Sequence, residues 1–362
     1  CLSLTEIPFH LDTGKAIDMR GMFRYCRVLD TFNQINDEFD TTWLRNYDAI
    51  FWDCHNLKSI PNFEINAITV DIDGNPVRQN TSLQYMFWGC YNLQEIPTNF
   101  FNKTYIDGRL DEFGNPLNTP LVFDAYRAFG VMYSLRTLPP MSYNQWGRCY
   151  QVFWVNRNVE YYPTMNTTSC NDARYMFGYN YALRELPQGL DLSNVTSAYQ
   201  FAIECENLTH VQDLNGPGSL CNDFRYMFYA IETLTTVAAT FDTSNATNVA
   251  RMYGYSRNLK SLPGTYNFNN CTSDTTSAAA GVNQFIIDCS SLQEVTITNL
   301  RTHCYFRNAS FGRDEIVKMF NNLVDNTGGT AFTLYIGGNY GLQTLSQADR
   351  DIALNKNWIL NG

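Results

Sequence analysis

The chain has 362 residues, a formal net charge of -10 and a pI near 4.9, which argues against a nucleic-acid partner or an anionic membrane, since both need a cationic surface. It has no apolar run of about 18 residues to span a bilayer. Only 17% of residues are charged while 15% are aromatic, and Asn, Thr and Tyr are abundant, a balance common in extracellular and virion-surface proteins.

The first residues, Cys1-Leu2-Ser3-Leu4-Thr5-Glu6-Ile7-Pro8, are the second half of a phrase that returns along the chain. Its fullest copy is Met86-Phe87-Trp88-Gly89-Cys90-Tyr91-Asn92-Leu93-Gln94-Glu95-Ile96-Pro97, so the sequence opens inside a repeat. Aligned on the Phe87 position, copies fall at 23, 51, 87, 129, 153, 177, 202, 228, 253 and 286, with most steps between 24 and 28 residues. That period is typical of leucine-rich solenoids. In each copy the apolar residues follow a helical stripe, as in Leu83, Met86, Phe87 and Cys90, which predicts a short helix with one buried face. A Leu-x-x-Ile segment follows, too short for a helix and often closed by Pro, which predicts a strand. Polar links such as Asp242-Thr243-Ser244-Asn245 supply turn and capping residues.

One copy cannot fold alone. Burying its apolar side chains yields about 7 to 15 kcal/mol, whereas ordering some 25 residues costs at least about 25 kcal/mol. Stacking must close the gap. Equivalent crossovers imply parallel strands, and strands about 4.8 Å apart beside helices about 8 to 10 Å apart imply a curved array. The expected fold is therefore α/β: a right-handed leucine-rich-repeat-like solenoid over residues 1–312, with a parallel sheet on the concave side, short helices on the other side, and a C-terminal cap over residues 313–362.

Insertions near 64–82 and 102–122 read as hairpins with Gly-Asn-Pro at the turn, and Asp73, Asn75, Phe113 and Asn115 are candidate contacts on them. Asp71, Asp73 and Asn75 begin like a calcium loop, but Pro76 and Val77 occupy the following ligand positions and no Glu closes it. Residues 264–284 read as a loop without pattern.

Of the 11 Cys, nine fall on core positions of the repeat, with Cys26, Cys54, Cys90, Cys205 and Cys289 in one register. They are expected to be buried free thiols acting as small apolar residues, with no metal between them. Cys271 and Cys304 lie outside the pattern, and whether they pair is left open. His10, His55, His210 and His303 are scattered, so no zinc site is expected. No nucleophile elbow, phosphate loop or dinucleotide fingerprint occurs. The expectation is no enzyme, no cofactor and no metal.

Between Leu and Ile of each strand, two residues are spared from the core and decorate the sheet. Arg136, Glu160 and Arg184 alternate in sign on successive rungs, which predicts cross-strand ion pairs. With Tyr161, Glu185 and His210 they form the candidate recognition strip. At the C-terminus the helical stripe returns as Ile316, Met319, Phe320 and Leu323, followed by a β-rich Phe332–Ile336 and a helix opened by Ser346 with Asp349 as a capping box. Ile352, Leu354 and Trp358 there are suited to covering the last repeat.

The pattern from Asp242 to Leu259, with its Met-Phe-x-x-Cys variants, resembles the BspA-like leucine-rich repeats of bacterial surface proteins over about residues 1–300. Similar repeats occur in tailed-phage appendages, and the ending Asn355-Lys356-Asn357-Trp358 resembles the Lys-Gly-Trp ending of phage-encoded members, with Asn357 in place of Gly. The resemblance implies a non-catalytic adhesion module on a virion surface, distal in a tail fibre or appendage. Its partner would be a host-cell surface protein or glycan, or neighbouring subunits. A bacterial cell-surface adhesin and a structural connector are the alternatives.

Overall fold

In the computed structural model, residues 1–7, 11–32, 38–41, 43–44, 46–65, 68–70, 76–78, 81–101, 122–272 and 281–362 are described. They divide into two compact units. One comprises residues 1–172 and 179–190, the other residues 173–178 and 191–362. The boundary expected after residue 312 falls inside the second.

In the first unit Glu6–Ile7 pairs parallel with Thr31–Phe32, and Glu38–Phe39 with Asn62–Phe63. A four-stranded parallel sheet runs in the order Thr81–Ser82, Val122–Asp124, Met141–Arg148, Met165–Asn166. In the second unit His210–Val211 pairs with Thr236–Val237, and Ser261–Asn267 with Glu294–Thr298, again parallel. Parallel rungs agree with the expected repeat fold. The antiparallel pair among the described strands is Ile68–Val70 with Pro76–Arg78, which are the arms of the first expected hairpin. Its turn, with Asp73 and Asn75, lies outside the described residues, as does most of the second insertion with Phe113 and Asn115.

The short helices are corrected by the structure. Each Met-Phe stretch is a run of successive turns in which Met86, Trp88 and Cys90 donate their amides three residues back, while Tyr85, Phe87 and Gly89 donate to Tyr126, Ala128 and Gly130 of the next copy. The backbone alternates between closing its own turn and bonding the next rung. An α-helix keeps φ negative throughout, but here φ turns positive two residues before and two after each aligned position, as at Tyr85 (57°) and Gly89 (79°), Gln151 (53°) and Val155 (62°), or Arg251 (55°) and Tyr255 (63°). Most of these residues are not glycine, and the left-handed conformation costs each about 1 to 2 kcal/mol. The hydrogen bonds to the next rung offset that strain. A turn ladder buries the same i, i+3, i+4, i+7 stripe as a helix would, which is why the spacing misled. Hydrogen-bonded rungs also run along this side, so the reason for expecting a concave sheet, wide helix spacing opposite narrow strand spacing, does not apply.

Rings stack through each core. In the first unit Phe23, Phe51, Phe87, Phe129 and Phe153 follow one another at centroid distances of 5.6, 5.4, 5.7 and 6.1 Å. In the second a column of its own, mostly edge to face, runs through Phe177, Phe201, Phe228, Tyr253 and Phe285 at 5.5, 6.2, 5.7 and 5.7 Å. At Phe201 and Phe285 the ring comes from the residue before the aligned position, where Ala202 and Ile286 keep the backbone register.

All 11 cysteines are free, and all but Cys1 are buried. Their expected role as apolar filler is incomplete. Cys54 Sγ donates to the Phe23 carbonyl (3.0 Å), Cys90 to Phe51 (3.0 Å), Cys205 to Phe177 (3.1 Å) and Cys289 to Tyr253 (3.0 Å). Other rungs perform the same task with a different donor: Asn156 Nδ2 to Phe129 (2.7 Å), Asn180 Nδ2 to Phe153 (2.8 Å) and Ser256 Oγ to Phe228 (3.0 Å). At these rungs the position holds a short side chain carrying a proton; on the Phe23, Phe51 and Tyr253 carbonyls it adds a second hydrogen bond to those from the Cys26, Cys54 and Ser256 amides. Burial pushes the thiols of Cys54 and Cys289 up to about 12 and raises that of Cys90 well above its ordinary value, so they stay protonated donors.

The expected loop at 264–284 is overturned at its start. Ser261–Asn267 is a strand, Tyr266 and Phe268 are buried, and Cys271 Sγ donates to Ala246 (3.0 Å). Residues 273–280 lie outside the described set.

The C-terminal segment carries α1 (Arg313–Asn321) and α2 (Gln347–Leu354), the latter opened by a complete Ser346–Asp349 capping box. Three parallel rungs, Cys304–Tyr305, Phe332–Tyr335 and Trp358–Asn361, run beside them. Trp358 is 1% exposed and its indole donates to Val324 O (2.9 Å). Leu354, expected in the core, is 45% exposed, because α2 turns Asp349 and Ala353 inward. The repeat's donor device persists here: Asn339 Nδ2 bonds the Phe306 carbonyl at 2.8 Å.

Candidate functional site

Three consecutive rungs of the first unit, reached after the Phe129, Phe153 and Phe177 positions, build the candidate site. Leu135, Val159, Tyr162, Leu183 and Leu186 point into the core, which leaves Arg136, Thr137, Glu160, Tyr161, Arg184 and Glu185 outside. The Arg184 amide donates to the Glu160 carbonyl (3.1 Å), and that register sets the two side chains opposite each other. Arg184 Nε then meets Glu160 Oε2 at 3.0 Å, the ion pair expected from the alternation of sign. Both groups are more than half exposed, so the pair fixes orientation and adds little stability. Arg136 makes no such pair among the described residues.

An open groove of about 430 Å³ lies between these rungs, lined by Arg136, Thr137, Asn158, Glu160, Tyr161 and Ala182. Tyr161 is 53% exposed, while Tyr162 beside it is buried. The floor beneath is a closed hydrogen-bond network. Tyr162 Oη donates to Asn180 Oδ1 (2.6 Å) and receives Asn156 Nδ2 (3.2 Å), and Asn156 Oδ1 takes the Met132 amide (3.0 Å). Each carboxamide also holds the carbonyl of the preceding ring residue. A fully satisfied buried network is rigid, so the strand presenting Tyr161 is pinned on its inner face.

Of the predicted strip, the structure brings Arg136, Glu160 and Tyr161 into one groove and sets Arg184 one ion pair away, with Glu185 exposed next to it. His210 belongs to the second unit, where its ring nitrogen contacts Thr236 Oγ1 at 2.6 Å across a strand pair. The sequence reading missed Asn158, whose side chain donates to the Tyr133 carbonyl. Its signal was the Asn that recurs one residue before the first apolar residue of the strand, at Asn56, Asn92, Asn158, Asn207 and Asn258, with Val159 in place of the usual Leu after Asn158. It also missed a neighbouring column of half-buried rings, in which His55 stacks on Tyr91 (4.3 Å), Tyr91 on Tyr133 (4.9 Å), and the Arg157 guanidinium lies over Tyr133 (4.4 Å).

Two other concavities are less suited to binding. In one, of about 380 Å³, Arg148 grips Asp124 with two bonds (3.1 and 2.9 Å), so its charges are already satisfied. The other, about 500 Å³ in the second unit, is ringed by Glu204, Glu206 and Glu232. Burial and then the charge of Glu206 raise the Glu204 carboxyl, and Glu232 is held by Arg257 at 2.7 Å. Among the described residues no group of His, Cys, Asp or Glu is arranged to hold a metal ion, and no helix is long and apolar enough to cross a membrane.

Parallel rungs, a repeating phrase and an outward polar strip define a repeat protein. The family described as "Mycoplasma protein of unknown function, DUF285" matches residues 9–100 and 217–292, together somewhat less than half the chain. No curated protein matches. A solved leucine-rich repeat protein from Bacteroides ovatus is similar at 12% identity, covering 100% of this chain and 85% of its own, with a TM-score of 0.28, too low to carry further argument.

Proposed function

We propose that this chain is a non-catalytic binding module displayed on a surface, most specifically the distal part of a tailed-phage tail fibre or appendage that contacts a host cell. Each unit is read as a stretch of right-handed solenoid that holds its outward strip rigid. The observation that carries the reading is the groove around Tyr161: an exposed aromatic ring on a strand locked from below, beside Arg136, which no side chain bonds among the described residues. Recognition favours such preorganised aromatic anchors, because little entropy remains to be lost on binding. The Met-Phe-x-x-Cys motif and the C-terminal Lys356-Asn357-Trp358 support the phage setting. The bacterial cell-surface adhesin stands as the second reading, favoured by the match to a cellular family. In both the partner is a cell-surface protein or glycan, and neither needs a cofactor.

The test is quantitative binding of the labelled full chain to intact bacterial cells of several envelope types, before and after removal of surface polysaccharide. Saturable binding to some cells and not others is expected, and Tyr161→Ala should reduce it at least tenfold with an unchanged thermal midpoint. Absence of saturable binding on every cell type would overturn the adhesion reading in favour of a connector role.

A further inference from the structure

The chemistry of the groove narrows the class of ligand, given the binding reading above. Its lining is polar on every side but two: Arg136, Thr137, Asn158 and Glu160 offer both donors and acceptors, and Tyr161 and Ala182 supply the apolar contact. An amphipathic helix or an apolar peptide would find no hydrophobic trough here. A standard protein interface buries about 800 Å² on each partner around an apolar core, and one aromatic beside polar side chains does not make such a core. The same features suit a sugar ring, whose axial C–H face packs on an aromatic ring while its hydroxyls take hydrogen bonds at the rim.

The charges then choose among sugars. Glu160 is held by Arg184 at 3.0 Å, so its charge is largely answered within the protein. Arg136 is bonded by no side chain among the described residues, and its guanidinium fork is shaped for a carboxylate. The groove therefore offers an acceptor site for one negative charge beside a stacking platform. The net charge of -10 opposes an acidic polymer at long range, but charges beyond about 8 Å are screened at physiological salt. Contact chemistry decides. We propose that the groove binds an acidic saccharide, with a pyranose ring stacked on Tyr161 and its carboxylate bridged by Arg136.

The experiment is calorimetric titration of the full chain with hexasaccharides of galacturonate and of mannuronate and with a sialylated oligosaccharide, each beside a neutral oligosaccharide of equal length. At least one acidic probe should bind while the neutral ones do not. Arg136→Gln and Tyr161→Ala should each weaken that binding at least tenfold, and Arg136→Lys should weaken it less than Arg136→Gln, with thermal midpoints unchanged. Equal affinity for neutral probes, binding that survives both substitutions, or no binding of any acidic probe would overturn the proposal. If whole cells are still bound in a Tyr161-dependent way, only the ligand class is wrong; if cells are not bound at all, the adhesion reading fails with it.

Discussion

Two stretches of the first unit solve the same problem with different chemistry. Around Phe23 and Phe51 the buried carbonyl of each ring residue is met by a thiol, from Cys54 and Cys90. Around Phe129 and Phe153 it is met by a carboxamide, from Asn156 and Asn180, which are also bound to each other through Tyr162. A thiol is a weak donor that fills a small space and does little else. A carboxamide has further donors and an acceptor to satisfy, and here satisfying them ties successive rungs together. The difference teaches where firmness is concentrated: the carboxamide rungs lie beneath the groove.

Alkaline pH should separate the two chemistries most strongly. Burial raises the Cys54, Cys221, Cys271 and Cys289 thiols to about 12 in the folded chain, against about 8.5 when unfolded. The unfolded chain therefore releases protons first. The stabilisation is complete below about pH 8.5 and is lost as pH rises toward 12, by up to about 1.4 kcal/mol per thiol for each pH unit. Urea midpoints should be level from pH 7 to 8 and fall steeply from 8.5 to 9.5, below the range of ordinary tyrosines. A level midpoint through that window would mean the thiols are not buried donors.

Removing a carboxamide should come next. Asn156→Ala strands the Phe129 carbonyl and the Met132 amide in the core and takes one of the Tyr162 hydroxyl's two bonds, and is expected to cost about 3 to 5 kcal/mol in denaturant unfolding. Cys90→Ala removes one of the two hydrogen bonds on the Phe51 carbonyl, the Cys54 amide keeping the other, and one small group, for about 1 to 2 kcal/mol. Cys90→Ser should cost less than Cys90→Ala, because Ser256 already performs the task at 3.0 Å. If the two Cys90 variants are equal, the position is apolar after all. The smallest effect is a gain. Val155 sits at φ 62°, unfavourable for a β-branched residue, and Val155→Asn should raise stability by up to about 1 kcal/mol.

The repeat register was legible in the sequence because the phrase that sets it also sets the ladder: the aligned positions 51, 87, 129 and 153 are consecutive hydrogen-bonded rungs. The burial of the cysteines and the Glu160–Arg184 pair were legible for the same reason. The turns were not, since a four-residue turn ladder and a helix bury the same stripe, and of the left-handed positions in the Met-Phe stretches only Gly21 and Gly89 carry the residue that marks them. Nor was the donor role read, although Asn156, Asn180 and Ser256 stand where other copies have Cys, a set of residues that share a proton rather than an apolar surface. The groove escaped because it depends on Asn158, which reaches the site from the turn before the strand.

The central claim is that the buried Asn156–Tyr162–Asn180 bonds hold the binding strand in shape, and Tyr162→Phe removes one hydroxyl from that network with the ring kept. Residue-resolved hydrogen exchange on the native and Tyr162→Phe chains tests it most directly. The account predicts faster exchange confined to the amides of Met132, Leu183 and Arg184 and their neighbours, with α1 and the rungs of Cys54 and Cys90 unchanged. Exchange that is unaltered at those amides, or raised evenly through the chain, would contradict it.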